Sequence, residues 1–300
     1  MKIKPPRLQE GDRIGIIAPA GPVLRDELRP GLEFLKSLGF EPVCSLHLFD
    51  QKGYLAGEDK ARIKDLHAMF RDKRIKAVLC GRGGYGTHRI LQQLDYELFR
   101  RNPKIFVGYS DITALLFALF KKSGLITFHG PVLRDLLKGG GRNAGLLIKR
   151  MTSDDSITVN FPSGTTVKKG RAEGVVLGGN LSLMCHLLGT PFMPSLKGKL
   201  LFIEDKGEPL YRIDRMLSHL LLSGELGKCA GLMIGSFGEC GEPVSVVDLV
   251  SERCSKLRMP VVTGLPVGHG EQNVALPIGA RAVLDTKTMS LEFKEPCVRT

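Results

Sequence analysis

Between residues 13 and 128, short apolar runs alternate with segments whose apolar residues return every three or four positions. The runs RIGIIA (13–18), IKAVLC (75–80) and KIFVG (104–108) read as buried strands, with weaker strands at 42–44 and 126–128. Leu28, Leu32, Leu35 and Leu38 mark a helix that Gly39 stops, and Ile63, Leu66 and Phe70 mark a second. A short helix over 88–94 and a longer one over 111–121 complete the alternation. Strands that alternate with helices imply βαβ units around a parallel sheet, so the expected fold class is α/β.

The pattern changes beyond Asp135. Gly139, Gly140 and Gly141 form a flexible run, and residues 152–169 are polar and β-branched. We therefore expect a linker over 136–170, between a first domain at 1–135 and a second at 171–300. A chain of 300 residues suits two domains of roughly 150 each. The second half carries more strands, near 173–177, 200–204, 231–237, 261–265, 281–284 and 290–293. Pro209 can open a helix with the apolar stripe Ile213, Leu217, Leu220, which Gly224 ends, and a further helix is expected over 246–257.

Composition narrows the partners. The net charge is +12, but the basic residues are scattered, densest at 71–76 and at Lys121-Lys122. With 6% aromatics and no Trp there is little to stack bases on, so a solvated basic surface is expected and no nucleic acid. The seven cysteines form no C-x-x-C pair and are widely spaced, which suits reduced thiols in the cytosol. No run approaches the ~20 apolar residues of a membrane helix, and the N-terminus lacks a signal-peptide core. A cytoplasmic protein with no membrane partner is expected.

Four segments carry candidate chemistry. In KIFVGYSDITALLFAL a strand ends at Gly108, Ser110 sits at the turn and a helix begins at Asp111. Such a turn lifts a serine hydroxyl clear of the sheet edge, beside the N–H groups of a helix N-terminus. Ile112 stands where G-x-S-x-G has its second glycine, and a serine here serves equally well as a helix N-cap. In CGRGGYGTHRIL, Gly81, Gly83, Gly84 and Gly86 lie between a strand and a helix, where backbone N–H groups can meet a phosphate or an oxyanion. In KLLFIED, Glu204 and Asp205 end an apolar strand, either as a solvated strand end or as an acid that orients a histidine. In LPVGHGEQNVALPIGA, His269 lies between two glycines in a loop after a strand, with His129 of FHGP the rival base. There is no H-E-x-x-H and no Cys/His ligand spacing, so neither metal nor cofactor is expected.

Together these segments resemble the LD-carboxypeptidase family, which includes the microcin C immunity peptidases. The resemblance runs nearly end to end, through GDRIGIIAPAGPV, GRGGYGTHRIL, VGYSDITAL, FHGPV, GGNLSLMCHLLGTP, LFIED and VGHG in that order. It implies a flavodoxin-like parallel-sheet domain, a β-rich α/β C-terminal domain and an active site in the cleft between them. It puts the nucleophile on Ser110, the acid on Glu204 with Asp205 as the neighbour to tell apart from it, and the base on His269. The oxyanion donors fall on the N–H of Asp111 and on the Gly83-Gly84 turn. An exopeptidase must also hold a free carboxylate, which suits a bidentate Arg. Arg82, Arg212 and Arg215 are candidates, with Tyr85 as a further substrate contact. Arg212 and Arg215 equally suit an exposed helix face paired with Asp214 or Glu208.

The activity implied is release of the terminal D-Ala from cytosolic murein tetrapeptide in peptidoglycan recycling, by a homodimeric serine carboxypeptidase. The immunity branch, which cuts peptidyl- or aminoacyl-nucleotides, is the alternative, and the lack of Trp for stacking disfavours it. A non-catalytic module holding a phosphate in the 81–86 loop is a third reading.

Overall fold

Strands with no exposed face must sit in the middle of a covered sheet. All of β4 (Ile105–Gly108) is buried, as is all of β3 (Ile75–Cys80) except Lys76 and all of β1 (Arg13–Ile17) except Arg13. In the computed structural model, which describes residues 2–300, these three strands pair in parallel with β3 central. Outside them, also parallel, lie β2 (Glu41–Cys44) against β1 and β5 (Thr127–His129) against β4. The order 2-1-3-4-5 is the flavodoxin-like doubly wound arrangement. Its crossovers contain α1 (Arg25–Ser37), α2 (Asp59–Arg71), α3 (Tyr96–Arg101) and α4 (Thr113–Ser123). Leu28 and Leu35 bury one face of α1, but Leu38 falls just after the helix and is 40% exposed. The helix expected over 88–94 is two tight 3-10 turns, Thr87–Arg89 and Leu91–Gln93. Thr87 is tied sideways to Asp111 through both its N–H and its hydroxyl, which competes with continued helical winding.

Loops at the C-terminal ends of adjacent parallel strands lie side by side. Here the loops after β1, β3 and β4 hold Gly21, Gly83 and Ser110. After Ser110 a 3-10 turn (Ser110–Ile112) runs into α4, whose residues 113–119 are all buried. A helix apolar all round has to lie inside the molecule.

What covers α4 on its other side is the second sheet. It has eight strands in the order β6-β14-β13-β8-β9-β10-β11-β7. The centre, β8 (Arg171–Asn180), β9 (Lys199–Lys206), β10 (Gly231–Gly238) and β11 (Val261–Val262), is parallel. The flanks, β13 (Arg281–Asp285), β14 (Ser290–Phe293), β6 (Thr158–Asn160) and β7 (Thr166–Lys168), are antiparallel. Between them run α6 (Leu181–Leu187), α7 (Leu210–Leu222) and α8 (Pro243–Cys254). Gly179 sits at φ +148, where a methyl would stand 2.5 Å from the Thr113 hydroxyl, so glycine lets the end of β8 touch the start of α4. Asn180 N–H then donates to Thr113 Oγ1 at 3.1 Å.

Two segments depart from the sequence reading. Residues 136–170, expected as a linker, contain α5 (Arg142–Thr152) as well as β6 and β7, which close both edges of the second sheet. The edge strands are short and polar outside, so their sequence resembles a loop. Conversely β12 (Leu276–Ile278), which lies within 171–300, pairs antiparallel with β5 and extends the first sheet. The chain therefore crosses back between the sheets just after His269.

Candidate active site

The Ser110 turn is strained. Ser110 takes φ +63, one of three non-glycine residues described at positive φ. An L-residue pays for that conformation, and such cost concentrates where a side chain must be aimed. The elbow is built without the second glycine of the usual pattern. Ile112 fills the space beside Gly108, where a methyl on Gly108 would lie 2.6 Å from Ile112 Cγ2. Ser110 is the first residue of the turn and not its N-cap, which is Tyr109. Ser110 Oγ lies 3.1 Å from His269 Nε2, and His269 Nδ1 lies 2.7 Å from Glu204 Oε2.

Glu204 is fully buried at the C-terminal end of β9. Burial holds its carboxyl above the usual carboxylate range, and the bond to His269 and the imidazole's charge offset only part of that rise. Consecutive strand residues face opposite sides, and this separates Glu204 from Asp205. Asp205 accepts from Asn180 Nδ2 at 2.7 Å and from the N–H and hydroxyl of Ser182 at 2.9 and 2.8 Å, so it fastens the start of α6. His269 reaches Glu204 because the chain beside it has no side chain. Gly268 is at φ +106, and a methyl there would stand 2.7 Å from Glu204 Oε2.

His129, the rival base, makes no hydrogen bond to Ser110 among the described residues. Its ring is wholly buried between Tyr109 and Phe202, with centroids 6.0 and 5.0 Å away. Burial first, and then His269 nearby, holds its pKa down to about 3, so it is a neutral wall of the site.

The glycine loop lies directly against the elbow. A methyl on Gly83 would stand 2.9 Å from Ser110 Cβ, and Gly83 O accepts from Gly21 N at 3.0 Å. Among the described residues, the N–H groups of Gly83, Gly84 and Asp111 donate to no protein acceptor. Three backbone donors are thus left open in the elbow and the glycine loop packed against it. Arg82 is half-buried in the same loop, its Nη1 donating to Pro22 O at 3.1 Å, and Tyr85 is exposed and edge-on to Tyr54 at 5.4 Å. Arg212 and Arg215 lie exposed on α7. Arg212 pairs with Glu208 at 3.4 Å, and the Arg215 guanidinium sits 5.5 Å from the Tyr211 ring centroid. Arg82 and Tyr85 flank the Gly83-Gly84 turn that lies against Ser110, whereas the contacts of Arg212 and Arg215 are with Glu208 and Tyr211.

Several contacts of the site went unread in the sequence. The Tyr109 ring packs on His269 with centroids 4.9 Å apart, and its buried hydroxyl donates to Asp135 Oδ2 at 2.6 Å. Asp135 is held in turn by Lys138 at 2.8 Å and Arg134 at 3.2 Å. Tyr109 stands next to Ser110 in the elbow motif, which was the available signal, whereas no local pattern marks Asp135.

Comparison with known proteins agrees with this geometry. A family model described as the LD-carboxypeptidase N-terminal domain matches residues 14–130, and one described as the C-terminal domain matches residues 173–284. A probable murein peptide carboxypeptidase of Bacillus subtilis is 41% identical over 97% of this chain and 95% of its own. The crystal structure of a muramoyltetrapeptide carboxypeptidase from Oxalobacter formigenes superposes with a TM-score of 0.87 at 34% identity, covering 96% of this chain and all of that one. The Escherichia coli microcin C7 self-immunity protein MccF is 29% identical over 98% of this chain and 96% of its own. A strained serine facing a histidine and a buried glutamate, in a chain matched by both halves of one family in order, makes this protein a serine-type hydrolase that belongs to the LD-carboxypeptidase family.

Proposed function

We propose that the chain is the carboxypeptidase that releases the terminal D-Ala of murein tetrapeptide in the cytoplasm, with Ser110 as nucleophile, His269 as base and Glu204 as the residue that orients the base. The observation that carries this reading is the run of contacts from Ser110 Oγ to His269 at 3.1 Å and from His269 to Glu204 at 2.7 Å. An ionised carboxylate only accepts, so Glu204 keeps the proton on His269 Nδ1 and leaves Nε2 free to take one from Ser110. The serine attacks the scissile carbonyl, and the open N–H groups of Asp111 and the Gly83-Gly84 turn meet the oxyanion, each worth on the order of 10²–10³ in rate. His269 then protonates the leaving amine, and water releases the acyl-enzyme. Arg82 is our choice for the terminal carboxylate, because it shares the loop that carries the oxyanion donors. The cytoplasmic setting is supported by seven free cysteines.

The test is mass spectrometry of L-Ala-γ-D-Glu-diaminopimelate-D-Ala after incubation with wild type and Ser110→Ala. Release of D-Ala by wild type alone is expected. Release by neither, with both folded, sinks the murein reading. A nucleotide-linked peptide is then the next substrate to try, since the exposed Tyr54–Tyr85 pair offers rings on which a base can stack. Ligand affinity that depends on Ser110 without any turnover would instead support a phosphate-binding module.

A further inference from the structure

We infer that Asn143 is a positioning residue that clasps the His269 loop, so that the base is aimed by a side chain from the segment joining the two sheets; this rests on the reading of His269 as the base. Asn143 lies in the first turn of α5 and is 3% exposed. Both ends of its amide engage the same loop. Oδ1 accepts from Asn273 N at 3.0 Å, and Nδ2 donates to Glu271 O at 2.8 Å. This is the pair of bonds that a neighbouring strand would make, supplied here by one side chain. Nδ2 also reaches Lys138 O at 3.3 Å, which fixes the amide's orientation from its own segment. Asn273 passes the constraint inward, its Oδ1 accepting from Gly268 N at 3.1 Å, one residue before His269.

Close packing adds to the clasp. Gly139 is at φ +66, and a methyl there would lie 2.8 Å from Glu271 O, so the glycine run approaches the loop at backbone distance. On the other side of His269 stands the Tyr109 ring. The imidazole is thus bracketed by the elbow on one side and by a loop pinned to α5 on the other. Only asparagine satisfies both loop bonds at this reach. Asp lacks the donor to Glu271 O, and Gln displaces the amide by a methylene.

The experiment compares kcat and KM for wild type, Asn143→Asp, Asn143→Gln and Asn143→Ala, and repeats Asn143→Ala in a His269→Ala background. Loss of aim is expected to lower kcat on the order of 10²-fold with KM nearly unchanged. The second change should cost nothing further once His269 is gone. An unchanged kcat in folded Asn143→Asp, or an equal loss in the His269→Ala background, overturns the clasp. Substrate-free NMR of histidine-labelled protein gives an independent readout. The His269 ring signals of Asn143→Asp should broaden or split, and unaltered signals overturn the inference. If wild type cleaves no peptide, the functional reading fails, while the ring signals still decide the clasp.

Discussion

The proposed nucleophile and its proposed base are held by opposite means. Ser110 is placed by a continuous stretch of chain: a buried strand, a strained turn and a buried helix. His269 is placed by residues far away in sequence. Its partner Glu204 is 65 residues distant and Ser110 is 159, and its loop is tied to Asn143 across 130 residues. The first arrangement derives its accuracy from local backbone geometry, and the second from a few buried polar bonds. Local geometry survives most distant changes. Buried polar bonds fail abruptly when one partner is removed, because the other is left unsatisfied at a cost of about 1–3 kcal/mol.

The largest test of this contrast is Ser110→Ala, expected to cut kcat roughly 10⁶-fold while leaving the melting temperature near that of wild type, since alanine keeps the same Cβ in the same strained turn. A clear fall in melting temperature would show that the elbow needs its serine to fold. Next is Glu204→Gln, which keeps the volume but presents the imidazole with the wrong partner. A loss on the order of 10⁴ in kcat is expected in a steady-state assay, as for an orienting acid.

Gly268→Ala should cost on the order of 10² in kcat, because its methyl displaces Glu204 Oε2 or turns His269 away. Normal kcat in that variant would mean that the base loop has slack, and would weaken the contrast.

The smallest effect is on stability. His129 has its folded pKa lowered to about 3 against an unfolded value of 6.5. Between those values the unfolded chain binds the extra proton, so stability is complete above pH 6.5 and falls as pH drops toward 3. His129→Phe should flatten the acid limb of denaturant-derived stability by at most about 1.4 kcal/mol per pH unit. An acid limb of equal slope in both proteins would remove His129 from the account.

Much of this was legible in the chain. Short apolar runs alternating with helical spacing announced the parallel sheet, and the GYSD turn was readable because strand, serine and helix are contiguous. The acid was harder: Glu204 and Asp205 are adjacent and both buried, and only strand alternation against a particular neighbour assigns one to His269 and the other to Ser182. The 136–170 segment misled because two of its elements are three-residue edge strands. Short polar strands carry no periodic signal, and they gain order from the sheet they complete.

By itself, then, the sequence determined the longer buried elements and the local turn chemistry, because apolar spacing and glycine placement act over a few residues. The family resemblance named His269 and Glu204, but the spacing of residues left His129 and Asp205 open. Tertiary structure shows the contacts that join His269 to Ser110 and Glu204, and it alone shows that Asn143 ties the His269 loop. Those contacts depend on side chains brought within about 3 Å across more than sixty residues of chain, where no local pattern records the distance.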